Sequence, residues 1–209
     1  MALKIAHIVR RLVFEEWGGT ETVVWNSVRQ QRERGIDAQI FATSALSKPG
    51  AEAPEGVPVR RFRYFYPWLP MDAATKAALD KKGGSPCVPD LFRTIRRERF
   101  DLIHIHAGGR IAQSAGRTAK NLRGPCGLSV PGGAATVPAG EIRAMLRPLR
   151  GKLNYGGILD RILGLRLDPL EKADAVICVG RDEADALSKL YPNQRIIAIP
   201  NGIDWARFH

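Results

Sequence analysis

The sequence lacks the residues that would place it in several common classes. Its three cysteines, Cys87, Cys126 and Cys178, are odd in number and form no C-x-x-C pair. That argues against a disulfide framework and a cysteine-built zinc site and predicts reduced thiols in a core. No apolar run approaches the roughly 20 residues that span a bilayer, and Ile5–Val9, between Lys4 and Arg10, is too short for a signal-peptide core. There is no G-x-G-x-x-G, so nicotinamide or flavin binding has no support. Acidic residues are scarce, 21 Asp and Glu against 32 Lys and Arg, and the net charge of +11 points to an anionic partner: nucleic acid, acidic lipid or a phosphorylated small molecule. Internal repeats are absent.

What is present is an alternation of strand and helix patterns. Leu3–Val9 is short, β-branched and nearly all apolar, as expected of a strand buried on both faces of a parallel sheet. A loop follows, ending in Trp17-Gly18-Gly19, and then a helix with Thr20 as its expected cap, Val24 and Val28 inward, and a stop at Gly35. Further strands are expected over 36–43, 57–62, 102–106, 126–130, 174–179 and 195–199. Helices are expected over 72–82, from Pro89 to about Arg99, after Gly108-Gly109-Arg110, and between the last two strands. This is the pattern of a doubly wound, mostly parallel, Rossmann-like α/β sheet. At 209 residues one domain is expected, 1–209, with a helical insertion over about 139–172 and a linker over about 200–209.

In such sheets ligands bind outside the carboxyl ends of the strands, at helix amino termini. Gly18 and Gly19 fall there, where glycine permits close approach and positive φ, although Glu21 competes for the positive helix end. Period-two alternation puts His104 and His106 on one face, with His106 at the strand's carboxyl end; His104 and His7 read as core histidines. Two histidines without a cysteine or carboxylate cluster do not complete a metal site, and no metal is expected. Arg10, Arg11 and Arg110 are candidate anion contacts by position and charge. The run from Arg60 to Pro70 interleaves cations with rings, and either stacks on bases, sugars or headgroups or packs under a loop. Arg93, Arg96, Arg97 and Arg99 read as a solvated face. The stripe over 141–172 is basic, so it either lies on an anionic membrane or packs a core.

Several pieces together resemble one family. Gly-Gly-x-Glu at 18–21, Asp-Leu-Ile-His-Ile-His at 101–106, Ala-Asp-Ala-Val-Ile-Cys-Val at 173–179 and Ile-Pro-Asn-Gly-Ile-Asp at 199–204 occur in the order seen in retaining GT-B glycosyltransferases of family 4. The resemblance implies half of a two-domain architecture, the acceptor side, ending at the interdomain linker and inactive without the donor domain. It implies transfer of a sugar from a nucleotide-sugar donor to a glycan, lipid-linked or phosphorylated acceptor, without a metal or other cofactor. Under it, His106 is the catalytic candidate, and Gly18, Gly19, Thr20, Arg10, Arg11 and Arg110 are substrate-binding candidates. Cytoplasmic location is expected, peripheral at the inner face of the membrane if an anionic surface is a partner, with no nucleic acid bound. The chain departs from the family where Thr-x-His-Gly is common and Ser129-Val130-Pro131-Gly132 stands, and at Gly180, where serine is common. Two other readings are a GT-B nucleotide-sugar epimerase and a non-catalytic module binding polyanions.

Overall fold

The computed structural model describes residues 2–67, 71–130 and 169–202. Among them eight strands form one sheet, in chain order β1 (Lys4–Arg11), β2 (Asp37–Thr43), β3 (Gly50–Glu52), β4 (Val59–Phe62), β5 (Leu102–Ile105), β6 (Cys126–Val130), β7 (Ala175–Cys178) and β8 (Ile196–Ala198). Across the sheet the order is β3-β4-β2-β1-β5-β6-β7-β8. Neighbours are parallel, except that β3 is antiparallel to β4. The expected doubly wound α/β sheet is therefore the one observed. Helices α1 (Gly19–Glu33), α2 (Ala73–Lys82), α3 (Pro89–Glu98), α4 (Gly109–Leu122), α5 (Pro169–Lys172) and α6 (Arg181–Leu190) connect the strands. Most of the segment expected to be a basic helical insertion, and residues 203–209 of the expected linker, lie outside the described residues.

β1 is central because its residues from Ile5 to Val9 are all buried, which only a strand covered on both faces requires. On one face Ile5 and Val9 pack with Val24, Trp25 and Val28 of α1 and with Ile40 of β2. On the other, Ile8, Ile103 and Ile105 pack with Leu91 and Ile95 of α3 and Ile111 of α4. The chain winds outward from β1 through β2 to β4, returns to β5 beside β1, and then winds the opposite way.

Three local features differ from expectation for physical reasons. β3 falls where a loop is expected: Gly50–Glu52 is fully exposed, so it carries no alternation signal and is held by its ladder to β4 and by the Arg61–Glu52 ion pair. β8 is shorter than the expected 195–199 and half-buried throughout, as suits an outermost strand with a neighbour on one side only. Thr20 does not cap α1. The cap position is Gly18, without a side-chain bond, and it is Thr22 whose Oγ1 donates to the Gly18 carbonyl, at 2.9 Å.

Residues 68–70 of the cation–aromatic run lie outside the described residues; of the rest, Arg63 and Phe65 are exposed and the others are spent inside the protein. Arg60 pairs with Glu98 at 2.8 Å, and Arg61 donates to the Leu12 carbonyl. Tyr64 and Tyr66 donate to the buried Asp80 of α2 at 2.6 and 2.9 Å, with Lys76 Nζ 3.1 Å away. Burial first, and then the Asp80 carboxylate, push both phenols above their usual range. Asp80→Ala leaves the Tyr66 hydroxyl buried without this acceptor and is expected to cost about 3 kcal/mol; Asp80→Asn, which still accepts, should cost less. Urea denaturation checks this, and a loss below about 1 kcal/mol for the alanine variant would show that the cluster is not a structural anchor.

Candidate functional site

The point where the winding reverses lies between β1 and β5, and the crevice outside their carboxyl ends is where a sheet of this kind receives a ligand. The chain leaves that edge through the β1–α1 loop, which ends at Gly18 before Gly19 and Thr20 open α1, and through the β5–α4 loop, which ends at Gly108 before Gly109 and Arg110 open α4. The topology thus brings both motifs to one edge. A cleft of about 440 Å³ lined by Arg117, Lys120, Arg123, Cys126, Lys172 and Asp174 lies at the other end of the sheet, where β6 begins and α4 ends.

Of the four glycines Gly109 stands apart, whereas a Cβ at Gly108, as at Gly19, would find nothing within 4 Å. Gly109 has φ +60°, and a Cβ there would overlap Ser85, so the fold itself requires glycine. Gly18 is extended at φ −119°, and a Cβ there would meet only Glu21 Oε2, at 2.8 Å, the far end of a flexible side chain. At Gly19 a Cβ would find nothing within 4 Å. The expected positive φ is absent at both Gly18 and Gly19. What remains is open space over the first turn of α1, with the Glu21 carboxylate folded back across its start.

His106 lies on the α1 face, but below the rim. β5 ends at Ile105 opposite Ile8, and His106 N donates to the Ile8 carbonyl at 2.8 Å, whereas β1 continues through Val9 and Arg10 to Arg11. The residue is consequently only 6% exposed. It meets His7, whose Nδ1 is 3.0 Å from His106 Nε2, while His7 Nε2 is 2.8 Å from Gln31 Oε1 of α1. His104, in register with His7, packs 4.1 Å from His106 between ring centroids and bonds Ser129 Oγ at 2.8 Å. Burial lowers all three histidines, His7 to about 4, His104 to about 3 and His106 well below the usual value. The rings are neutral at physiological pH.

Sequence spacing presented two histidines; the pairing of β1 with β5 supplies a third. Their ligating atoms lie within 4.8 Å of one another. The His7 and His106 nitrogens, however, are at proton-sharing distance, and the cluster includes no carboxylate or thiolate among the described residues. A divalent ion would have to break that hydrogen bond and carry its charge uncompensated in a buried place.

The three arginines part company. Arg10 is half-buried and donates to the Asp80 carbonyl at 2.7 Å, and burial, then neighbouring Arg11, lower its pKa. Arg11 pairs with Glu16 at 2.7 Å and stays at the edge. Arg110 corrects the expectation that it is poised for an external anion, since it is 2% exposed. Its backbone N–H donates to Ser85 Oγ at 2.7 Å and its Nη1 to the Ser85 carbonyl at 2.9 Å.

Two residues beside the crevice escape sequence reasoning. Phe14 and Trp17, each 39% exposed, stack at 5.5 Å and both stand edge-on to the buried Trp25, with Arg61 over Phe14 at 5.3 Å. The available signal was two large aromatics on either side of Glu15 and Glu16, which no core pattern requires.

Comparison with known proteins gives one family. The model described as Glycosyltransferase Family 4 matches residues 17–207. Similar solved structures include Anabaena Alr3699/HepE in complex with UDP, at TM-score 0.53 and 15% identity, covering 97% of this chain and 45% of that one. Another is CalG4, the calicheamicin glycosyltransferase, at TM-score 0.51 and 13% identity, covering 97% of this chain and 54% of that one. At these identities the likeness is one of fold, and the chain spans about half the length of each. No curated protein sequence matches it.

Proposed function

The chain belongs to glycosyltransferase family 4, and from that premise we propose that it forms the acceptor-side wall of a retaining enzyme. That enzyme moves a sugar from a nucleotide-sugar to a glycan, lipid-linked or phosphorylated acceptor. The observation that carries this reading is Gly19: neither backbone conformation nor any neighbour requires glycine there, and it opens α1 at the edge where the winding reverses. Bare backbone with free N–H groups is what a substrate oxygen needs for close approach. Arg11 is spent on Glu16 and the Glu21 carboxylate lies across the start of α1, so in this reading the donor diphosphate is held chiefly by the donor-binding half and this wall faces the acceptor. His106 lies next to the same crevice as a neutral imidazole. That suits orientation by hydrogen bonds in a same-face displacement, where the departing diphosphate needs electrostatic support more than a strong protein base. The comparisons lend nothing to the epimerase or polyanion readings.

The test separates fold from function. In a protein joining this chain to a donor-binding half, Gly19→Ala is expected to leave the melting temperature unchanged or raise it, since alanine is the better helix former by up to about 1 kcal/mol. The added methyl should lower turnover about tenfold, and His106→Ala should lower it at least about tenfold. The product should keep the donor's anomeric configuration by NMR. Full turnover in both variants, or an inverted product, would count against the assignment.

A further inference from the structure

The histidine cluster has a direction. Gln31 Oε1 can only accept a hydrogen bond, so the His7 Nε2 that lies 2.8 Å from it carries that ring's proton and His7 Nδ1 keeps a lone pair. His106 Nε2 is 3.0 Å from His7 Nδ1, and the ring centroids, 5.3 Å apart, leave the two nitrogens edge to edge at the distance of an N–H···N bond. The shared hydrogen therefore belongs to His106 Nε2. A neutral imidazole has one N–H, which leaves the lone pair of His106 Nδ1 as an acceptor. His104 is outside this chain of bonds, engaged with Ser129 instead.

We propose that Gln31 and His7 are positioning residues that lock His106 in the Nε2–H tautomer, so that its Nδ1 accepts a hydrogen bond from a hydroxyl of the sugar being transferred or of its acceptor. The inference rests on the glycosyltransferase reading above. The residue at the far end gives it content. A carboxylate there would stabilise an imidazolium and make His106 a stronger base, as in a Ser-His-Asp triad; an amide fixes the ring's orientation without that gain. The relay is built to orient a hydroxyl and leave its proton in place. It also explains why a site histidine tolerates burial, because its second nitrogen is satisfied from within by His7, which Gln31 satisfies in turn.

Long-range ¹H–¹⁵N spectra of the chain carrying ¹⁵N-histidine, at pH 8, read each ring's tautomer. His7 and His106 are expected as single Nε2–H tautomers in the native chain and in Gln31→Glu, whose carboxylate still accepts. In Gln31→Leu both rings should become mixtures while circular dichroism shows the fold retained. An Nδ1–H tautomer at His106, or spectra indifferent to Gln31→Leu, overturns the proposal. In the protein carrying the donor-binding half, Gln31→Leu is expected to lower kcat about tenfold with KM within about twofold. Gln31→Glu should restore most of it, and Gln31→Leu should add nothing in a His106→Ala background. Tautomers as expected, with kcat unmoved by His106→Ala, would instead remove His106 from the reaction, and the positioning role with it.

Discussion

Between pH 7.5 and pH 5 the protein is expected to lose stability on the order of 4 kcal/mol from His7 and His104 alone. In the unfolded chain both titrate near 6.5, whereas burial holds them at about 4 and about 3 in the fold. The unfolded state therefore binds more protons than the native state throughout that window, and the sign follows: stability is complete above about pH 6.5 and falls as the pH drops toward the folded values. At pH 5 each ring contributes a loss of about 2 kcal/mol, and His106, lowered in the same direction, adds to it. For a chain of this size the melting temperature should fall by roughly 10 °C, well before most carboxylates titrate. Thermal melts at stepped pH check the slope. His104→Phe, which removes a titrating ring and keeps its packing, should remove about half of the two-ring effect. A melting temperature flat from pH 7.5 to pH 5 would contradict the burial of the cluster.

Arg110→Ala is expected to cost about 3 kcal/mol or more, with no counterpart in substrate affinity. The guanidinium is among the largest fully buried side chains, and its removal leaves a cavity and takes one donor from the Ser85 carbonyl. Gly109→Ala should approach the same loss by a different route, since φ +60° and the overlap with Ser85 both oppose a Cβ. Gly18→Ala and Gly19→Ala, at the neighbouring loop, should cost little or nothing. Denaturant melts of the three glycine variants therefore separate Gly109, which holds the fold, from Gly18 and Gly19, which leave room. Equal losses at all three would erase the distinction on which the crevice assignment rests.

The parts of the site that were legible in the sequence are those set by local pattern. The apolar run of β1, the glycine pair before α1 and the two histidines two apart on β5 all follow from period and chain order. The resemblance to family 4 was equally readable, because it rests on ordered motifs. Arg110 shows where local pattern stops: a cation at the start of a helix looks available to an anion until the loop at Ser85 closes over it. Thr20 shows the same at smaller scale, since helix onset two residues earlier leaves it past the cap position. β3 was invisible because an exposed edge strand needs backbone partners and nothing from its side chains.

By itself the sequence determined a parallel α/β sheet with β1 at its centre, an excess of positive charge, and membership of a glycosyltransferase family, since each depends on composition, periodicity or motif order. Only the tertiary structure decided that His7 stands beside His104, that Gln31 closes a relay onto His106, and that one arginine is buried while another stays at the edge. The physical reason is separation along the chain: His7 and His106 are 99 residues apart, and nothing short of strand pairing across the reversal point in the sheet could bring their nitrogens within hydrogen-bonding distance.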